Sequence, residues 1–189
     1  QGREVMKLFG VRSSNQRGSL PDHLQRPDFR RYFDTLASWI PIEDLSGLEI
    51  GPMDKPLVSK AKHKVKYLDA FPFEVIYERC KQNPNRDESR AVQLDYVTGN
   101  RQISASVDQA FDYVTASHVI EHVPNLLGWL RDLSKVLNPG GKVFLAVPDR
   151  RFTFDVARPL TTLGEIIEND VRQLDKPSFR SVFDQRFYH

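Results

Sequence analysis

Between residues 27 and 40 the apolar positions Phe29, Phe33, Leu36 and Ile40 recur at helical spacing. This pattern predicts an amphipathic helix that stops before Pro41. Short apolar segments follow at 48–50, 65–69, 91–94, 112–117 and 142–147. Each has the length of a buried strand. Helix-like stretches separate or follow them, notably Phe73–Gln82 and 126–137, with a further helix expected over 162–174. Strands alternating with helices predict an α/β fold: a mainly parallel sheet joined by right-handed crossovers, with helices on both faces. Such sheets take ligands at the carboxyl ends of their strands, beside the point where strand order reverses. The residues just after each strand are therefore the candidates for chemistry.

The first of these ends reads "LEIGPMDKPL". An acid two residues before a glycine suits a ligand with hydroxyl or amino donors, and Gly51 lets backbone come close to it. Pro52 and Pro56 stiffen the turn where a fuller glycine pattern is absent. The second strand is expected to end in Asp69, about twenty residues further on, where a carboxylate can accept from both hydroxyls of a ribose. The third is expected to end at "LDY", which would let Asp95 accept from an adenine amino group. Each acid alone also reads as a turn or helix-cap aspartate. Three of them after three successive strands form a set.

Composition narrows the classes. A chain of 189 residues has room for one domain with a real core. Its 27 basic and 25 acidic side chains leave a formal charge of +2, which gives no reason to expect a nucleic-acid partner. The basic run at 59–66 reads either as a solvated face or as a contact for an anionic substrate or surface. The single cysteine, Cys80, leaves no intrachain disulfide or cysteine-rich metal site, and its place on a helix suggests a buried core residue. There is no apolar run of membrane-spanning length and no signal-peptide core, so a cytosolic location is expected, with work beside a membrane compatible with it.

Taken together, "LEIGP", "YLD", "LDY", "FDYVTASHVIEHV" and "LNPGGKVFLAVPD" resemble the class I S-adenosylmethionine-dependent methyltransferases of the type 11 group. The resemblance covers residues 48–149 and implies a Rossmann-like core over 27–150, preceded by an arm at 1–26. It implies S-adenosylmethionine as cofactor, with Glu49, Gly51 and Pro52 by its methionine portion, Asp69 at the ribose, and Asp95 with the backbone of Tyr96 at the adenine. Ser117 and His118 would line the sulfonium. Pro139, Gly140 and Gly141 would make the turn into the fifth strand.

"GPMDKP" and the stretch at 147–170 also resemble methyltransferases associated with bacterial surface-polysaccharide synthesis. That likeness implies an oxygen of a sugar or glycan intermediate as acceptor and a glycosyltransferase as partner or fused domain. Residues 151–189 would then be a substrate-side segment, with Arg150, Arg151 and Arg158 meeting phosphate or sugar groups or forming surface ion pairs. A degenerate cofactor-binding scaffold is the alternative function. The family sheet normally gains two more strands after the fifth, so the chain reads as a fragment with those strands missing.

"SHVIEHV", residues 117–123, carries the H-x-x-E-H spacing of inverted zinc peptidases. It starts at a strand end and lacks the further carboxylate such a metal needs, so no metal is expected. A divalent-ion cluster in related ubiquinone-pathway enzymes has Glu where this chain has His118, a poor exchange for a hard cation. His118 is instead the candidate catalytic group, orienting or deprotonating a hydroxyl nucleophile. Glu121 and His122 are expected to cap and pack the next helix.

Overall fold

The computed structural model describes residues 29–187. The expected arm at 1–26 and the start of the first helix lie outside the described residues. Helix α1 spans Phe29–Trp39, and its chain runs on into Pro41, whose ring disfavours helical geometry at the preceding residue. Five strands follow: β1 Gly47–Ile50, β2 Val65–Asp69, β3 Tyr96–Val97, β4 Phe111–Ser117 and β5 Leu137–Ala146. All pairings are parallel, in the order β3-β2-β1-β4-β5. The chain is thus Rossmann-like, as its pattern predicts, and strand order reverses between β1 and β4.

Helix α2, Phe73–Gln82, links β2 towards β3, and α3, Leu126–Lys135, links β4 to β5. Asn125 caps α3 by accepting from the Gly128 N–H at 2.8 Å. Cys80 is fully buried on α2, and burial pushes its thiol up, consistent with a core residue. One face of the sheet packs Val65, Tyr67, Tyr113, Phe144 and Ala146 against Leu36 of α1, Ile40 just after it, and Leu57 and Val58. The other packs Leu48, Ile50, Leu68, Val114 and Ala116 against Leu133 and Val136 at the end of α3.

The connection from β1 to β2 carries no helix. Residues 51–64 form turns only, although a parallel pair needs a crossover that is usually helical. Leu57 and Val58 from this loop, together with α1, cover the sheet face instead.

Two expected strands are reshaped. The segment 91–94 is not a strand; Val92 and Leu94 pack on the core from irregular backbone, while β3 forms two residues later by pairing with Leu68 and Asp69. The turn at Pro139–Gly141 lies inside β5, as a register break between Phe111↔Leu137 and Tyr113↔Lys142. Gly140 has φ +79 there, which its missing Cβ makes possible.

Beyond β5, α4 spans Leu163–Val171 and opens on a capping box between Thr162 and Glu165. A further helix that the pattern did not announce, α5, spans Phe179–Phe187. Arg131 of α3 pairs with Asp170 of α4, and the Asn169 side chain donates to the Pro124 carbonyl at 3.1 Å. The segment is thereby fastened beside the turn that follows β4. Several of its apolar side chains remain exposed, among them Phe152, Phe154, Leu160 and Leu163.

Candidate active site

The carboxyl ends of β1, β2 and β4 meet at the point of strand reversal. Gly51 leaves β1 with φ +70 and donates its N–H to the Leu68 carbonyl at 2.9 Å, so the turn sits against the end of β2. A Cβ at Gly51 would lie 2.9 Å from Cγ2 of Val119, the residue after His118. The glycine is required twice over, by its backbone angle and by this approach. Pro52 is buried behind it, and its carbonyl accepts from the Lys55 N–H at 3.0 Å.

Asp69 ends β2 as expected. It is buried, and one oxygen accepts from the Phe71 N–H at 3.0 Å. Burial pushes its carboxyl up against the lowering effect of the Phe71 and Ala70 N–H groups and Arg79. Donors brought by a ligand would restore the charged form.

Ser117 and His118 end β4. The Ser117 hydroxyl is buried with no hydrogen-bond partner. His118 adopts φ +56, a left-handed backbone that costs a non-glycine residue about 1–3 kcal/mol. Its N–H donates to the Ala146 carbonyl at 2.9 Å, and its half-exposed ring brings Nδ1 to 3.5 Å from Glu121 Oε1. Glu121 and His122 lie in a single 3-10 turn, Ile120–His122, ahead of α3. They do not cap that helix; Asn125 does. Among the described residues no group of three or more His, Cys, Asp or Glu side chains is placed to hold a metal ion.

The pattern missed Tyr32, whose ring centroid lies 6.5 Å from that of His118. It stands one helical turn before Leu36, and that spacing was the available signal. Burial pushes its hydroxyl up, which keeps it a donor.

Two expected site residues are engaged elsewhere. The shift of β3 puts Asp95 before that strand instead of after it. Its carboxylate accepts from the Tyr67 N–H at 2.7 Å and pairs with Lys60 and Lys66. Burial alone would raise its pKa, but those bonds outweigh it and hold the group below the usual carboxylate range. The carboxyl end of β3 instead presents Thr98, Gly99 and Asn100. Tyr96 pairs with Leu68 through its backbone, while its hydroxyl donates to Asp108.

Glu49 is only 2% exposed. Its two oxygens accept from the N–H groups of Leu57, at 2.6 Å, and Val58, at 2.9 Å. Burial pushes its carboxyl up to about 7 in spite of those two bonds. Both oxygens thus serve the chain's own backbone.

The arginines of the following segment also have internal partners. Arg150 donates to the Val156 carbonyl, Arg151 pairs with Asp149, and Arg158 donates to the Ser181 hydroxyl at 2.7 Å.

A parallel Rossmann-like sheet in the order β3-β2-β1-β4-β5 flanked by helices is the core architecture of class I S-adenosylmethionine-dependent methyltransferases. The model of the methyltransferase domain family matches residues 22–185, and the chain belongs to that family. It is 38% identical over 61 residues to a ubiquinone biosynthesis O-methyltransferase of Xanthomonas oryzae pv. oryzae, covering 32% of this chain and 26% of that protein. The namesake enzyme of Coxiella burnetii is 28% identical over 68 residues, covering 36% and 29%. These matches span little more than a quarter of the curated relatives' length.

Among solved structures, the glycopeptide N-methyltransferase MtfA superposes with a TM-score of 0.45 at 17% identity, covering 74% of this chain and 61% of that one. A methyltransferase from Pyrococcus furiosus gives a TM-score of 0.43 at 18% identity, covering 74% and 69%.

The residues present fit S-adenosylmethionine. The unpartnered Ser117 hydroxyl, the Gly51 backbone and the buried Asp69 carboxylate stand at adjoining strand ends, since Ile50 pairs with both Leu68 and Ala116.

Proposed function

We propose that this domain supports transfer of a methyl group from S-adenosylmethionine to an oxygen of a sugar or glycan intermediate. The observation that carries this reading is the convergence of the Gly51 turn, Asp69 and the Ser117–His118 pair where β1, β2 and β4 end. S-adenosylmethionine supplies an electrophilic methyl whose leaving group is a neutral thioether. The chain's own residues do the rest. Asp69 accepts the ribose hydroxyls, Gly51 and Pro52 bring backbone against the methionine portion, and Thr98–Asn100 with the Tyr96 backbone border the adenine. Ser117 donates into the space beside the reacting centre.

His118, half-exposed and oriented by Glu121, takes the acceptor's hydroxyl proton. Tyr32 walls the acceptor side. Holding two reactants in attack geometry supplies most of the acceleration, so the base is an aid. The segment from residue 151 onward forms the acceptor side in this proposal, supported by the attachment of Asn169 to Pro124 and by the exposed apolar side chains of its described residues. The resemblance at 147–170 supports a glycosyltransferase as partner, and location beside a membrane belongs to the same proposal.

A second reading, a cofactor-binding scaffold without turnover, is favoured by one observation: the turn after β1 has a single glycine, Gly51, followed by Pro52 and Met53. Calorimetric titration with S-adenosylmethionine and S-adenosylhomocysteine, repeated on Asp69→Ala, separates the possibilities. Binding lost in the variant supports the site. Labelled methyl transfer to sugars or to phenols then decides the acceptor class, and binding with no transfer to any acceptor favours the scaffold. Absence of binding by the wild type would sink the proposal.

A further inference from the structure

We infer that Glu49 is a positioning residue: its carboxylate straps the helix-less connection between β1 and β2 and so holds the Gly51 turn in the form that meets the cofactor. The inference rests on the functional reading above, and it replaces the role of direct cofactor ligand expected of this acid.

The physical need is specific. A crossover without a helix has no internal ladder for its backbone N–H groups, and buried N–H groups require acceptors. Leu57 and Val58 are both buried under α1, where water cannot serve them. A carboxylate has two oxygens and, once ionised, above about 7 for this buried group, can take one N–H on each. Glu49 does this at 2.6 and 2.9 Å. Charge-assisted bonds of this kind are roughly twice as strong as neutral ones.

The same connection is fixed at other points. The Gly51 N–H is held by Leu68, the Asp54 carboxylate by Arg86 and the Asp87 N–H, and the Val58 carbonyl by the Tyr67 hydroxyl at 2.6 Å. Glu49 belongs to β1 itself, two residues before Gly51. It therefore ties the far side of the loop back to the strand from which the turn departs. Among the described residues no cation pairs with it; the ionisable groups facing it are the hydroxyls of Tyr67 and Tyr113, both pushed up by burial and by its charge. A buried acid kept at that cost, with both oxygens on loop amides, is an anchor.

Hydrogen exchange of Leu57 and Val58 in the wild type and in Glu49→Gln, read beside S-adenosylhomocysteine affinity, tests this. Glutamine keeps the shape but presents one acceptor and one donor. Exchange at these two amides is expected to rise about tenfold or more while Val114 in the sheet centre is unmoved, and affinity to fall about tenfold. In the wild type, adding S-adenosylhomocysteine should slow exchange at both amides. That measurement decides the question even if the variant does not fold, since no slowing would overturn the coupling. Weakened affinity with unchanged exchange in Glu49→Gln would return the residue to direct ligand and overturn the strap. A wild type that binds no S-adenosylhomocysteine would overturn the functional reading and the cofactor half of this inference, while raised exchange in the variant would still identify the strap.

Discussion

The backbone N–H of His118 donates to the carbonyl of Ala146 at 2.9 Å, which ties the first residue after β4 to the last residue of β5. This bond holds His118 in a left-handed conformation with φ +56. Strain at a non-glycine residue persists only where the surroundings over-determine it, and here the imidazole is set beside Tyr32 and Glu121.

Replacement of His118 by glycine should therefore separate stability from activity. Relief of the backbone strain is offset in part by the larger entropy of an unfolded glycine, so stability is expected to hold or to rise by up to about 1 kcal/mol. Methyl transfer to an oxygen acceptor should fall by about a hundredfold or more, the range for loss of a general base. Urea denaturation and transfer rates on the same preparation check both. A destabilised variant with intact turnover would contradict the role given to this residue.

At Gly51 the two causes of intolerance can be measured apart. Gly51→Ala is expected to destabilise by about 2 kcal/mol, part from φ +70 and part from the approach of Val119 Cγ2 at 2.9 Å. Adding Val119→Ala removes the second part only. A double-mutant cycle should then show a favourable coupling of about 0.5–1 kcal/mol, with S-adenosylhomocysteine binding only partly regained. Strict additivity would mean that the side chains do not meet.

The strand ends of β1, β2 and β4 were legible because each combines a short apolar run with a polar or glycine break, and the fold aligns those breaks at one edge. β3 was not, because Val92 and Leu94 are buried without being in a strand. Apolar spacing reports burial; it cannot report that Tyr96 and Val97 are the residues whose backbone reaches Leu68 and Asp69. Because β3 begins at Tyr96, Asp95 precedes that strand rather than following it. Glu49 illustrates a different limit. Its place two residues before the Gly51 turn is plain in the sequence, but the partners that occupy it, Leu57 and Val58, come from a loop whose path depends on the absence of a helix. The helix α5 escaped notice because its apolar residues stay exposed and show little one-sided pattern.

Glu49 should also leave a signature in the pH dependence of stability. Its folded pKa, pushed up to about 7 by burial, lies above the ordinary value of 4.5. The folded state therefore holds this proton more tightly than the unfolded chain does. The resulting stabilisation is fully present below 4.5 and is lost as pH rises through about 7, on the order of 3 kcal/mol in all. Comparing thermal denaturation of the wild type and Glu49→Gln across pH 4.5 to 8 isolates this contribution, since glutamine does not titrate. Parallel curves would show that Glu49 is ionised at an ordinary pKa.

The ion pair of Asp54 with Arg86 offers a test of how the loop after β1 is held from its other side. Asp54 is 0% exposed, and its carboxylate takes the Arg86 guanidinium and, at 3.1 Å, the Asp87 N–H. The pair joins the loop after β1 to the segment after α2, with Lys55 adding a bond to the Asn85 carbonyl at 3.1 Å. Arg86→Met removes the cation and leaves a buried charge with one N–H, so a loss of about 3 kcal/mol is expected. Asp54→Asn in the same chain keeps an acceptor for Asp87 and abolishes the unpaired charge. The double variant should therefore be more stable than Arg86→Met alone, an ordering that a simple sum of two damaging substitutions does not give. Affinity for S-adenosylhomocysteine should follow the same order, because the residues that lose their anchor adjoin Gly51 and Pro52. If Arg86→Met is neutral in both measurements, the loop is held by Glu49 and the Gly51–Leu68 bond without this pair.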